Sequence, residues 1–543
     1  MVRLAALLLA LSATPAAAAP ACERTTLSGA FETRAGRAER TLTIEGGRVA
    51  ALSEAAGEPA PGRCAITLPR NAVALPGLTD GHVHLLGIGL REMTLNLEGT
   101  GSIAELRERL RAAAGETPRG PIIGRGWIET GWPEGRMPTA ADLDEAAPGR
   151  VVLLTRADGH ALVASPAALR EAGIGADTAD PEGGRIVRGE DGAANGLLID
   201  GAMALADDLR PELTDARRRE ALERGAALYA ARGWTGVHDM SVDPADLPVL
   251  RDLARRGRLP LRVASYVVPE GLGGLDGPSC DETGRACTVG VKAYVDGALG
   301  SRGALLFEPY ADEPGTLGLQ LMGEEEARAL YAEAARKGLQ VATHAIGDRG
   351  NALVLGWYAQ AMPEGARWRI EHAQIVRPSD IPRFAGQGVI ASMQPSHAIG
   401  DLYFAPDRLG DARLDGAYAW ASLRATGAVV AGGSDAPVEQ GDPRIELYAA
   451  TERRSLTGFQ GPDWRAREAL SRGAALALFT RAPAYALGLE DERGALEPGR
   501  AADLSVFCGD PFGGPDAATP LFTMIEGEVV SGDPAAACPT PAP

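Results

Sequence analysis

Short apolar runs alternate with helical patterns through the middle of this chain, and that alternation narrows its fold more than any other feature. Eight runs read as strands: 75–78, 235–239, 261–268, 289–295, 340–344, 369–372, 389–394 and 428–434. Helical stretches separate several of them. One, 324–337, stops at Gly338, and another, 214–232, stops at Gly233, as helices do before a left-handed glycine. Strand and helix in alternation predict a parallel sheet. Eight is the number that closes a (β/α)8 barrel, whose active site lies at the C-terminal ends of its strands.

Polar residues sit where such a barrel would use them. The chain has seven histidines, and four of them, His82, His84, His344 and His372, fall at or just past apolar runs. Lys292 in VGVKAYVDG and Asp435 in VVAGGSDAPV complete the set. His82 and His84 are two apart, so on a strand both imidazoles face one way, with Asp80. Paired neutral imidazoles suit a divalent transition metal. His344 and His372 supply the other half of such a site. Asp435 can bind metal and take a proton from water, or cap the segment that follows it. Lys292 would point into a barrel, where a bare ammonium is costly. Either its amine is carboxylated and bridges two metals, or it pairs with Asp296 or a substrate carboxylate.

The ends of the chain read differently. Residues 22–74 and 485–533 carry short strands with hairpin-like turns at Gly46-Gly47 and Glu526-Gly527. Neither end buries its own faces, so one β-sandwich formed from both is the economical expectation. The barrel domain then spans 75–484. Residues 97–210 are too long for a loop and read as an inserted α/β subdomain. It holds a strand at 151–156 and a helix at 103–114, opened by Ser102 with Glu105 as a capping box. Residues 534–543 are expected to be a disordered tail.

The first 21 residues read as a secretory signal peptide: Arg3, an apolar run at 4–11, then small residues and an A-x-A site before Cys22. An exported protein, in the bacterial periplasm, follows, with lipid attachment at Cys22 the lesser alternative. Export makes the six cysteines disulfide candidates, expected as Cys22–Cys64, Cys280–Cys287 and Cys508–Cys538. The net charge of −18, without a basic stripe, argues against nucleic acid and anionic membranes as partners. No mature segment is apolar enough to span a membrane. A small-molecule substrate is the expected partner, and a homodimer is left open.

The whole set resembles the metal-dependent amidohydrolase superfamily, in its family 3 branch that includes N-substituted formamide deformylase-like proteins. The likeness runs from about Thr41 to Gly532 and rests on GWIETGW, PTAADLDEAAPGRVVLLTRADGHALVASPAAL, YVDGALGSRGALLFEPY, THAIGDRGNALVL and GSDAPVEQGDP. Two positions depart from the usual pattern: Ser165 stands where asparagine is common, and Asn351 where a small residue is. The resemblance implies a β-sandwich plus (β/α)8 barrel. It implies His82, His84, His344, His372 and Asp435 as metal and catalytic residues, with Lys292 as a bridging ligand and zinc as the expected ion, one or two per chain. It places His160 and His397 at the pocket, and Trp127, Arg156, Asp296, Arg302 and Gln394 are further substrate-binding candidates. His238 reads as supporting or structural. Trp132 is a weaker pocket candidate. The expected reaction is hydrolysis of a non-peptide C–N bond by a metal-activated water, with Asp435 as general base and then acid. Esters, lactones or phosphoesters are the alternative substrates, and a metal-binding protein without turnover is the competing class.

Overall fold

The computed structural model describes residues 24–54, 65–129, 132–157, 159, 161–181, 184–461 and 464–539. The signal peptide, the Cys22–Cys64 pairing and His160 lie outside the described residues. Three sheets organise the rest.

The central sheet has eight parallel strands in sequential order: β1 (Leu78–Val83), β2 (Trp234–Val242), β3 (Arg262–Val267), β4 (Ala286–Tyr294), β5 (Gln340–Ala345), β6 (Arg369–His372), β7 (Ile390–Met393) and β8 (Val430–Gly432). It is an α/β barrel, nearly closed. The seam between β8 and β1 is held past the end of β8 by a parallel bridge, Val83 to Ala436. There the Asp435 amide donates to the His82 carbonyl at 2.7 Å, and the His84 amide to the Ala436 carbonyl at 2.8 Å. Gly433 makes that approach feasible: a Cβ there would lie 2.5 Å from the His82 nitrogen.

Helices pack outside the strands for the local reasons the sequence suggests. Asp215–Arg232 is capped by the Thr214 hydroxyl and ends at Gly233, whose φ is 105°. It lays Leu222, Ala226 and Tyr229 on the barrel core with Leu85 and Ile88. Glu324–Arg336 has three glutamates in its first turn and Arg336 in its last, both suited to the helix dipole.

The first strand differs from expectation. The run 75–78 holds the junction of two strands. Ala72–Pro76 pairs with Leu504–Gly509 in the end sheet, and the barrel strand starts at Leu78 and carries His82 within it. Proline at 76 and the turn at Gly77, whose amide donates to the Asp503 carbonyl at 2.8 Å, separate the two.

Both chain ends share one sheet, in the order Glu528–Gly532, Ala518–Ile525, Leu504–Gly509, Ala72–Pro76, Arg24–Thr33, Gly36–Glu45 and Arg48–Ser53, with Ala65–Thr67 beside Arg24–Thr33. Its own core includes Leu27, Phe31, Leu42, Val506 and Phe522. The two hairpin turns lie where the glycines put them, with φ of 55° and 76° at Gly46 and Gly47 and of 53° and 79° at Glu526 and Gly527. The expected tail is corrected as far as residue 539. Cys538 is disulfide-bonded to Cys508 and packs on the end-sheet core with Ala536. A second disulfide joins Cys280 and Cys287.

The inserted unit starts slightly earlier than expected, at Leu95, and builds a six-stranded mixed sheet that ends with Ala194–Asp200. Its helix Ile103–Glu116 is capped by Ser102, which accepts from the Glu105 amide at 3.1 Å. The Glu105 carboxylate reaches one residue further back than a capping box requires, to the Gly101 amide at 2.9 Å. Ser165 accounts for its departure from asparagine: its hydroxyl caps Pro166–Glu171, accepts from the Val152 amide at 3.0 Å and donates to the Arg150 carbonyl at 2.6 Å. Among the described residues, no helix is long and apolar enough to cross a membrane.

Candidate metal centre

The C-terminal ends of the strands bring the expected set together. One ligand atom each from His82, His372 and Asp435 lies within 4.8 Å of the others. His82 Nε2 stands 3.4 Å from Asp435 Oδ1 and 3.4 Å from Lys292 Nζ. His84 Nε2 is 3.2 Å from Asp435 Oδ1. The rings of His344 and His372 meet edge to face, centroids 4.5 Å apart.

The far nitrogens of three imidazoles are already engaged. His82 Nδ1 donates to Glu371 Oε2 at 2.5 Å, His84 Nδ1 to the Met240 carbonyl at 3.0 Å, and His372 Nδ1 to Gln394 Oε1 at 2.8 Å. Each bond fixes a tautomer that leaves Nε2 lone pairs turned inward, as metal-binding histidines require. His344 Nε2 is buried without a hydrogen-bond partner. Burial lowers the basicity of these rings, to about 4 for His82 and about 3 for His344, and well below the ordinary value for His372, so they are neutral near pH 7. For Asp435 burial acts upward, but the imidazoles of His82, His84 and His372 outweigh it and hold the carboxyl well below its usual range. Neutral nitrogens around an ionised carboxylate are the donor set of a divalent ion, and the residues fit one.

Two of these residues carry left-handed backbone, His372 at φ 71° and Asp435 at φ 62°. Such angles cost roughly 1–3 kcal/mol each in non-glycine residues, and they tend to collect at functional sites.

Lys292 is 1% exposed, with Nζ 4.6 Å above the Tyr294 ring. Pairing with Asp296 is not what the structure shows. Asp296 gives its oxygens to the backbone, accepting from Leu305, Ile346 and Gly347 at 2.8–2.9 Å, with Oδ1 3.5 Å from His344 Nε2. It pins the loop after β4 to the end of β5 and is spent there, so it is corrected from substrate contact to loop anchor. The amine of Lys292 lies beside the His82 imidazole at the ligand cluster. Lys292→Ala is expected to lower the metal content per chain, measured by elemental analysis of protein loaded with bicarbonate. An unchanged metal content would assign the lysine another role.

The remaining expected pocket residues divide. His397 stacks over His372, centroids 5.9 Å apart, with Nε2 3.6 Å from Asp435 Oδ2. Gln394 reaches the site by orienting His372. Trp127 is fully buried in the core of the inserted unit and donates to the Leu154 carbonyl at 2.9 Å, a packing role that replaces the expected pocket contact. Trp132 is nearly as buried there, with its indole on the Thr100 carbonyl. Arg156 is paired with Glu129 at 2.8 Å and Arg302 with Asp312 at 2.9 Å.

Sequence reasoning missed the support beneath the metal residues. Glu371, which orients His82, is fully buried and paired with Arg369, also fully buried. Arg369 also donates to the Gly81 carbonyl at 2.6 Å, to Ser392 and to His238 Nδ1 at 2.8 Å. Burial pushes Glu371 up, but Arg369 and His82 outweigh it and hold it far below the carboxylate range. The signal was present in WRIEH: opposite charges two apart on a strand share one face. Asn351, the other departure, is also buried. Its amide gathers the carbonyls of Ala345, Ile346, Gly347 and Ile375 at 3.0–3.3 Å, tying the ends of β5 and β6 behind His344 and His372.

The comparisons agree with this geometry. Residues 70–531 match the amidohydrolase family. The protein YtcJ of Bacillus subtilis (strain 168) is 35% identical over 479 residues, covering 84% of this chain and 89% of that one. N-substituted formamide deformylase of Arthrobacter pascens is 27% identical over 503 residues, covering 87% and 90%. An uncharacterised metal-dependent hydrolase of Pyrococcus furiosus has a crystal structure that superposes with a TM-score of 0.72 at 28% identity, covering 90% of this chain and all of that one.

Proposed function

From the premise that the chain belongs to the amidohydrolase family, we propose that it hydrolyses a non-peptide C–N bond of the amide type, such as an N-acyl or N-formyl amine or a cyclic amide. The observation that carries this is the placement of Asp435, with His82, His84 and His397 at 3.4, 3.2 and 3.6 Å from its oxygens. A divalent ion, zinc the expected one, would be held by His82, His84, His344, His372, Asp435 and Lys292 and would supply the Lewis acidity that makes water nucleophilic near neutral pH.

Asp435 takes the proton of the attacking water on a carboxylate oxygen. His397, whose Nε2 has no protein hydrogen-bond partner, donates toward the carbonyl oxygen as negative charge builds there. Asp435 then returns the proton to the leaving nitrogen, so the amine departs neutral and the carboxyl product keeps the water oxygen. Amide cleavage needs that returned proton more than ester cleavage does, because an amide anion is a far poorer leaving group than an alkoxide. The deformylase relative acts on a C–N bond, which supports the same bond type here.

The test is a panel of N-formyl amines, N-acetyl amines and cyclic amides beside matched esters, lactones and phosphoesters. Amide turnover that chelation removes and zinc restores is the expected result. Cleavage of the esters or phosphoesters with every amide untouched would overturn it. We also place the protein outside the cytoplasm, a reading supported by the leader-like N-terminus and by the Cys280–Cys287 and Cys508–Cys538 disulfides, which persist in oxidising compartments.

A further inference from the structure

Beyond Asp435 the wall of the site carries a carboxylate that the hydrolysis above does not use. Glu439 follows β8 by a short loop, and its Oε1 lies 3.9 Å from His397 Nε2. One imidazole thus separates it from Asp435. His397 is only 9% exposed, yet its Nε2 makes no hydrogen bond and is aimed between the two carboxylates. A buried nitrogen left without a hydrogen-bond partner marks a place where something else binds.

The charge around it is one-sided. Among the described residues, no lysine or arginine comes within ion-pair distance of the Glu439 carboxylate. The neighbouring cations are committed. Arg91 holds Glu98 and the carbonyls of residues 439 and 440, and Arg232 donates to the Gln440 carbonyl.

We propose that Glu439, on the wall of the site beyond His397, receives a positively charged, amine-bearing part of the substrate, so that the substrate class is amides of cationic amines and not N-acyl amino acids with a free carboxylate. A carboxylate entering here would face Glu439 with no arginine to meet it, which is a repulsive element as effective as any attractive one. A substrate ammonium replaces the missing counter-charge. The inference rests on the hydrolytic reading for its meaning as specificity, but the binding it requires does not depend on turnover.

The experiment compares three matched amides: N-acetyl-1,4-diaminobutane, N-butylacetamide and N-acetyl-4-aminobutyrate. Turnover is measured in the full zinc-loaded protein and in Glu439→Gln. Binding is measured by calorimetry in Asp435→Asn, with and without Glu439→Gln. The cationic amide is expected to bind about tenfold or more tighter than the neutral one, with the anionic amide weakest, and Glu439→Gln is expected to flatten the order at unchanged metal content. That order without any cleavage would fail the hydrolytic reading and leave this one standing. Cleavage without charge preference, a preference for the carboxylate, an order that survives Glu439→Gln, or no binding of any of the three would overturn it. Should Glu439→Gln not fold, the ranking in the parent protein decides.

Discussion

Asp435→Asn is expected to lower kcat by about 10³-fold or more, the scale of a lost general base and acid, while metal content and melting midpoint stay close to the parent's. Asparagine is the informative replacement. It keeps the size of the side chain and tolerates the left-handed backbone at φ 62°, where alanine would add strain. It also keeps the amide that donates to the His82 carbonyl across the barrel seam. What it removes is the oxygen that can take a proton. Turnover and elemental analysis of the same preparation check this, and near-normal turnover would remove Asp435 from the mechanism.

Arg369→Met is expected to destabilise the protein by about 3–5 kcal/mol, the range for breaking a buried ion pair by removing one partner. The reason is what remains. Glu371 would be a fully buried carboxylate with His82 as its principal partner. His82 would then be drawn toward the protonated form and away from metal, so affinity for the ion should fall about 10–100-fold. Denaturant unfolding of the metal-free protein reads the first effect, and a competitive chelator titration the second. The double variant Arg369→Met/Glu371→Met separates them: with no orphan charge it should recover much of the stability but not the affinity. A single variant as stable as the parent would show that Arg369 is not what holds Glu371 in place.

The barrel was legible because its apolar runs are long enough to be strands and several end at or near a histidine, lysine or aspartate. His82, His84, Lys292, His344, His372 and Asp435 needed no long-range information to find. The run at 75–78 misled because two strands abut there, and only the pairing of Ala72–Pro76 with Leu504–Gly509 distinguishes them. Asp296 misled for a related reason. Its three backbone donors lie 9, 50 and 51 residues further along, so nothing beside it announces an anchor. Trp127 was read as pocket where a large aromatic is more often core. Arg369 and Glu371 were visible as opposite charges two apart on a strand, yet the partner that explains them, His82, is 289 residues from Glu371.

The end sheet sets the order in which the molecule can be finished. A chain grows from its N-terminus, so Ala72–Pro76 emerges long before Leu504–Gly509, the strand that covers its free edge. The Leu78 amide and the Ser505 hydroxyl it donates to are 427 residues apart. Until that pairing forms, the edge of Ala72–Pro76 and the apolar face of Leu27, Phe31 and Leu42 stay open. Contacts of such separation form slowly, because loop closure must precede them. The pairing of Leu504–Gly509 with Ala72–Pro76 therefore closes this sheet only after all eight barrel strands have been made, and a chain cut short before residue 504 would leave one edge of Ala72–Pro76 uncovered.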